Sequence, residues 1–338
     1  MAEVQKYRSV GWGITDRCNL SCPHCYSSAV KVSDGELTTD ECRHIIDYLS
    51  QIEVETIGWT GGEPFIRKDL EDLIAYAYDQ GIKSGITTNG IPLTAKRVEN
   101  LKKLHLSSLQ ISLDGSTPER NHNIRLASAK EFHMVIDGIK RSLDAGLPVY
   151  LAMIISRASM DDVLDYVDMA RELGVKTIRY CCFVPHGGGT DDEISRKMSF
   201  GDRLEDLALL MEKLVVLDNP RVLPDVAFGP LPPAYDFHKC KAGSEAFYIS
   251  SKGDVYPCTS LLFDRFIVGN VRQKSLADIL TDPKMTEIAR YPRETIDGHC
   301  RECPYFKVCR GACRGAVYAH TGDLNASFPT CLFRTINK

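Results

Sequence analysis

Cys18, Cys22 and Cys25 stand at i, i+4 and i+7, directly after the β-prone run Val10–Thr15. Cysteine thiolates are the usual ligands of iron–sulfur clusters. Three on one short loop can hold three corners of a cubane and leave the fourth iron without a protein ligand. A structural zinc ion more often sits in a closed set of four ligands. The chain has thirteen cysteines, and seven lie between Cys240 and Cys331 in the order Cys240, Cys258, Cys300-x2-Cys303-x5-Cys309-x3-Cys313, Cys331. Only Cys42, Cys181 and Cys182 fall between the two groups. The polar stretch Met1–Ser9 lacks the apolar segment of a signal peptide, and no run reaches the roughly 18 apolar residues that span a membrane. A reducing, cytoplasmic setting is therefore expected. Disulfides are rare there, and clustered cysteines read as metal ligands.

These ligands need a frame. The 338 residues, 43% hydrophobic and 25% charged with a net charge of −4, suit one large α/β domain plus a smaller one. Nothing in the charge or hydropathy calls for a nucleic-acid or membrane partner. Strands are expected at Val10–Thr15, Thr56–Thr60, Lys83–Thr88, Ser108–Leu113, Val149–Ile155 and Thr177–Phe183, with amphipathic helices at Thr39–Gln51, Leu70–Gln80, Lys130–Ala145 and Met160–Leu173. Gly81, Gly146 and Gly174 stand where left-handed helix caps are wanted. Six β-α units imply a parallel sheet with helices outside, and ligands of such sheets bind at the carboxyl ends of the strands. The cysteine loop sits at that end. So do Thr60-Gly61-Gly62-Glu63-Pro64, Thr87-Thr88-Asn89-Gly90 and Ser112-Leu113-Asp114-Gly115. The paired glycines either let the backbone approach a ligand or form a plain turn. Pro185–Gly189, after the sixth strand, reads as a flexible or substrate-contacting loop. Asn219–Pro233 is proline-rich and reads as a linker. Cys181 and Cys182 are strand neighbours and point to opposite faces, and Cys42 reads as core.

Cys18-x3-Cys22-x2-Cys25, with His24 as the aromatic before the last cysteine, resembles the signature of radical S-adenosylmethionine (radical SAM) enzymes, and the three further loops follow in that family's order. The resemblance implies a partial (β/α)6 TIM-like barrel over residues 8–217. Cys18, Cys22 and Cys25 would bind a [4Fe–4S] cluster whose open iron takes S-adenosylmethionine. Gly61, Gly62, Glu63 and Pro64 would meet the methionine amino group. Thr88, Asn89 and Ser112, with Asp114 closing their strand, would face ribose and carboxylate. Arg125 would pair with that carboxylate, and His24 and Ile155 would lie near adenine. After a linker at 218–235, residues 236–338 resemble the SPASM auxiliary-cluster domain. Cys300, Cys303, Cys309 and Cys331 would then hold an outer [4Fe–4S] cluster, and Cys240, Cys258 and Cys313 an inner one. The inner set lacks a fourth cysteine, so an open iron, or His238 or Asp236, is expected there. Zinc ribbons are the alternative for the Cys-x2-Cys pairs. Thr259 replaces the acidic base of sulfatase maturases, which argues against that activity.

The family chemistry is a one-electron cleavage of S-adenosylmethionine, fed by a donor such as ferredoxin or flavodoxin, followed by abstraction of a substrate hydrogen. Modification of a ribosomal peptide or protein is the first expectation. The chain begins almost at its first strand, with no separate leader-binding domain, which weakens that expectation. Modification of a haem or tetrapyrrole precursor is the alternative, although the loop after the sixth strand lacks an arginine for a carboxylate-rich substrate; Arg179 lies within the strand itself. A non-catalytic iron–sulfur carrier would leave the Gly-Gly-Glu-Pro and Ser-x-Asp-Gly loops unexplained.

Overall fold

The computed structural model describes residues 6–225, 228, 240–288, 291 and 293–336. Strands β1 (Ser9–Thr15), β2 (Thr56–Gly61), β3 (Lys83–Thr88), β4 (Ser108–Ser112), β5 (Val149–Ile155), β6 (Thr177–Cys182) and β7 (Arg221–Pro224) pair in parallel, each with the next. Helices α1 (Thr39–Gln51), α2 (Leu70–Asp79), α3 (Ala95–Leu101), α4 (Pro118–Arg125), α5 (Ala129–Asp144) and α6 (Val163–Glu172) lie in the crossovers. The six expected strands form within a residue or so of their expected ends. The helix expected at Met160–Leu173 opens instead with a 3₁₀ turn at Met160–Asp162. Capping boxes, Thr38 with Glu41 and Ser128 with Glu131, start α1 and α5.

Two elements escaped the sequence reading. Helix α4 carries Ile124 as its one aliphatic residue, so it shows no apolar period; Thr117 and Pro118 at its start were its signal. Strand β7 lies inside the stretch read as a linker. It is an edge strand among the described residues, where a terminal proline is tolerated.

Alternation along the strands sorts residues to two faces. Val10, Trp12 and Ile14 of β1 go outward under the helices, where Trp12 stacks on Trp59 at 5.4 Å and the Trp59 Nε1–H donates to Ser84 Oγ at 2.9 Å. The inward face of β1 carries Gly11 and Gly13. Across the register, Ser112, Ala152, Arg179 and Leu223 form one inward row.

The C-terminal segment enters the same sheet. Strand β8 (Ala246–Ile249) pairs in parallel with β1, and β9 (Asp254–Tyr256) and β10 (Gly269–Asn270) follow antiparallel, giving the order β10-β9-β8-β1-β2-β3-β4-β5-β6-β7. Tyr248 of β8 lies opposite Gly11 and folds its ring over β1. A Cβ on Gly11 would come 3.0 Å from Tyr248 Cδ2, and one on Gly13 would collide with the phenol oxygen. Arg272, just after β10, forks onto Glu41 at 2.6 and 2.8 Å and donates to the carbonyls of Gly35 and Glu36 at 2.7 and 3.0 Å.

Sharing one sheet couples the stability of the two halves. Phe247 of β8 is 2% exposed and meets Tyr7 edge-on at 5.1 Å. Phe247→Ala is expected to lower the unfolding free energy by about 3–5 kcal/mol, read from the fluorescence of Trp12 and Trp59. An unchanged tryptophan transition would mean that the C-terminal half unfolds on its own.

Candidate functional site

The loop from Asp16 to Val30 contains neither helix nor strand, so its backbone must be held from outside. At its neck, the Val30 N–H donates to Asp16 O and the Cys18 N–H to Val30 O, both at 2.9 Å. Glu36 accepts from Thr15 Oγ1 at 2.8 Å and Asp16 N–H at 2.9 Å. Further anchors come from the ends of three other strands and from α4. After β2, the Gly62 N–H donates to Thr15 O at 2.7 Å and the Glu63 N–H to Arg17 O at 2.8 Å, while Ser27 Oγ donates to Gly61 O at 3.2 Å. After β3, Asn89 Nδ2 donates to Asn19 Oδ1 at 2.7 Å and stands 3.9 Å from Cys18 Sγ. From α4, the Ile124 carbonyl accepts from His24 Nδ1 at 3.0 Å. After β6, the Gly188 N–H donates to Cys25 O at 2.9 Å, and His186 Nδ1 to Tyr26 O at 3.0 Å.

Several expectations change here. Gly61 and Gly62 approach the cysteine loop's own backbone: Gly61 has φ +122°, and a Cβ on either residue would collide with the carbonyl oxygen of Thr15 or Arg17. Pro185–Gly189 is held rather than free, because His186 and Gly188 bind the cysteine loop. Thr88 Oγ1 and the Asn89 N–H both donate to the buried Glu63 carboxylate at 2.8 Å, so Glu63 bolts the loops after β2 and β3 together. Pro64, also buried, opens the 3₁₀ turn that follows.

Arg125 is already engaged: its Nε lies 2.6 Å from Asp114 Oδ2 and its Nη1 3.9 Å from Cys22 Sγ. Asp114 also accepts from the Ile154 N–H at 2.7 Å, tying β4 to β5. His24 lies 3.6 Å from Asp114, and burial lowers its pKa, so its ring is neutral. Ile155 pairs with Cys182 on the outward face and is fully buried there; Ile154, opposite Cys181, shares the face of Ser112. Placing Ile155 near adenine fails by one residue of pleat. Ser112 itself is half-buried on the inward row.

That inward face also gathers Arg179 and Cys181 with two residues the sequence reading did not single out, Tyr26 and Asp225. Tyr26, beside Cys25, shares a 3.2 Å hydrogen bond with Thr60 and senses the charges of Arg179 and Cys181. Burial pushes the Cys181 thiol up to about 12, whereas Cys182 packs into the core. Asp225, just past β7, donates its N–H to Tyr180 O at 2.8 Å, and its Oδ2 meets Arg179 at 3.3 Å. The alternation Gly11-Trp12-Gly13 was the one available sign that a large side chain, Tyr248, lies over β1.

In the C-terminal segment, Cys300, Cys303, Cys309 and Cys331 line one cavity of about 210 Å³ with Phe306 and Phe328. The Phe328 N–H donates to Cys300 Sγ at 3.3 Å. Cys240, Cys258 and Cys313 form a second group. Burial raises the Cys258 thiol first, then its neighbours Cys313 and Cys240 raise it further, and Asp225 acts on Cys313. His238 and Asp236 lie outside the described residues. Among the described residues, no three His, Cys, Asp or Glu side chains converge on a single ion. In a cubane each thiolate binds its own iron, so the ligands of one cluster stand wider apart than those of one zinc.

A family profile of the radical SAM superfamily matches residues 12–170, and one of the SPASM iron–sulfur cluster-binding domain matches residues 240–304. Mycofactocin maturase MftC of Mycobacterium tuberculosis is 30% identical over 329 residues, covering 95% of this chain and 82% of that protein. The chain belongs to the radical SAM superfamily and carries a SPASM domain. An AdoMet-dependent heme synthase of Methanosarcina barkeri is 29% identical over 343 residues, 97% of each chain. Streptococcus suis SuiB bound to S-adenosylmethionine shares the fold, with a TM-score of 0.75 at 20% identity over 96% of this chain and 77% of that one. This is therefore an enzyme of [4Fe–4S] clusters and S-adenosylmethionine, and the thiols gathered here are the donor type such clusters take. No helix among the described residues is long and apolar enough to cross a membrane.

Two outcomes test how this site is held. Gly62→Ala forces a methyl group into the Arg17 carbonyl, a backbone atom with nowhere to go. It is expected to cost about 1–3 kcal/mol and to lower the iron retained after reconstitution; full iron content with an unchanged melting temperature would contradict the close approach. Burial also pushes the Glu63 carboxyl from 4.5 up to about 7, against the hydrogen bonds it accepts. A carboxyl raised on folding stabilises fully below its unfolded pKa, and that stability is lost as pH rises through about 7. Cluster-free protein is expected to lose about 2–3 kcal/mol more than Glu63→Gln between roughly pH 5 and pH 8, measured by urea unfolding.

Proposed function

We propose that the chain cleaves S-adenosylmethionine reductively at Cys18, Cys22 and Cys25, abstracts a hydrogen from a substrate held in the barrel lumen, and passes an electron to an inner auxiliary cluster at Cys240, Cys258 and Cys313. The observation that carries this reading is the position of the lumen groups. Arg179 and Cys181 act on Tyr26 beside the first cysteine set, and Asp225, which pairs with Arg179, acts on Cys313 of the inner set. A substrate among them lies between a radical source and an electron acceptor.

When bound, the cluster and S-adenosylmethionine supply the electron and the 5′-deoxyadenosyl radical. The chain's residues do the rest. Cys18, Cys22 and Cys25 would present one open iron, on a loop that Glu36, Gly62, Asn89 and Gly188 keep from moving. Arg125 places positive charge beside Cys22, and Asp114 fixes its direction. Cys300, Cys303, Cys309 and Cys331 would close around an outer cluster. The barrel is proposed at 8–217 and the auxiliary-cluster domain at 236–338, although their strands share one sheet.

Peptide or protein modification is the first substrate reading, supported by similarity to a maturase along nearly the whole chain. Tetrapyrrole modification is the second. End-to-end similarity to a heme synthase favours it, as does the inward placement of Arg179, which supplies a cation that the loop after β6 lacks. Anaerobically reconstituted protein is expected to hold about twelve irons, as three cubanes, and to form 5′-deoxyadenosine from S-adenosylmethionine and dithionite. Ala at Cys18, Cys22 and Cys25 together should abolish the product, and full product from that variant overturns the reading. About four irons with stoichiometric zinc would remove the auxiliary clusters from it. Loss of mass from a supplied peptide or from a supplied porphyrin then separates the two substrates.

A further inference from the structure

Arg179 is an anomaly for a barrel strand. It lies third in β6, between Ala152 of β5 and Leu223 of β7, and so on the inward row that includes Ser112. Arg125, at the end of α4, shows the closed alternative, 12% exposed against the buried Asp114. Arg179 is 45% exposed at its side chain. Among the described residues its one hydrogen-bonding partner is Asp225, through a single Nη2–Oδ2 contact at 3.3 Å. Among the described residues its Nε and Nη1 make no hydrogen bond. Tyr150, Arg179, Leu223, Pro224 and Asp225 line a cavity of about 320 Å³. Two further features suit one ligand chemistry. Asp225, tethered through its own N–H to Tyr180 O, holds one side of the guanidinium and leaves the fork open on the other. Tyr150 adds a phenol to the same wall, and Leu223 and Pro224 add apolar surface.

We infer that Arg179, oriented by Asp225 and flanked by Tyr150, is a carboxylate-binding subsite of the substrate chamber. This deepens the functional reading above and rests on the lumen being that chamber. A planar, doubly donating fork matches a carboxylate in geometry and charge. The apolar wall takes the carbon skeleton that bears it. The substrate class is then a molecule with a free carboxylate on an apolar body. Two sources share this chemistry: the C-terminus of a peptide and a propionate side chain of a tetrapyrrole. Asp225 is a positioning residue here, since it acts on the ligand through Arg179.

The test is binding to the cluster-loaded enzyme, without S-adenosylmethionine or reductant. Four probes are titrated: an iron porphyrin with free propionates, its methyl ester, a short peptide with a free C-terminal carboxylate, and its C-terminal amide. Porphyrin binding is read from the porphyrin absorbance and peptide binding by calorimetry. One acid is expected to bind about tenfold or more tighter than its neutral partner, and which acid does so identifies the source. Arg179→Met should erase that preference, and Arg179→Lys should keep part of it. Asp225→Asn should weaken the acid and leave the neutral probe unchanged, a split that a merely structural role would not give. The subsite is overturned if neither acid outbinds its neutral partner on the wild-type enzyme, or if Arg179→Met keeps the preference. Should Arg179→Met lose its clusters, the wild-type comparison of acid with neutral probe decides alone. Failure of the functional reading looks different: no 5′-deoxyadenosine forms from S-adenosylmethionine and dithionite, whatever the probes do.

Discussion

The structure depends on one constraint: a ligand loop with no secondary structure must be stiff. Asp16–Val30 cannot satisfy its own backbone, so the ends of β2, β3 and β6 and the helix after β4 each lend it hydrogen bonds. The loops after the strands act first as clamps on the cysteine loop, whatever else they touch. This explains why glycines stand at 61 and 62. Their missing side chains let β2's end close on the Thr15 and Arg17 carbonyls, and any larger residue there would lift the loop off its support. It also explains why Glu63 is buried at the cost of a raised pKa. Its carboxylate takes hydrogen bonds from Thr88, Asn89 and Phe65 at once, and so fixes the height of two clamps relative to each other.

What could be read from the sequence was local. Three cysteines seven residues apart end to end, glycines after helices, and apolar runs of strand length all report their own neighbourhood. Those readings gave the six strands, while the division of the cysteines into ligand sets rests on the resemblance. What escaped depends on pairing between distant segments. Tyr248 reaches β1 only because β8 pairs beside it, 237 residues downstream of its register partner Gly11, and only the Gly11 and Gly13 gaps hint at it. The resemblance implies Ile155 near adenine, but a strand's period of two fixes alternation and not phase, and register with Cys182 turns Ile155 outward. Helix α4 and strand β7 were hidden for a related reason, since a polar helix and a proline-ended edge strand carry little apolar pattern of their own.

The C-terminal segment is more than an appendage to the barrel. By joining the sheet through β8, it sets Tyr248 against β1, while Arg272 grips the connection that leads from the cysteine loop into α1. Displacing the auxiliary region would therefore disturb both the floor of the lumen and the exit of the first ligand loop.

Two arginine–aspartate pairs show how that sheet divides its charges. Asp114 and Arg125 meet at 2.6 Å in a buried site beside Cys22, and Asp225 and Arg179 meet at 3.3 Å beside the lumen, with Asp225 acting on Cys313. Each pair is neutral overall, so neither adds net charge to its surroundings. They differ in what remains open. Arg125 lies between a carboxylate and a thiol and is almost closed to solvent, which suits a fixed counter-charge for a thiolate ligand. Arg179 keeps nearly half its side chain exposed beside a cavity. A buried pair gains little by changing partners. A half-exposed arginine with one long contact loses little by accepting a second carboxylate, and that difference in burial is why the proposed subsite falls on Arg179 and not on Arg125.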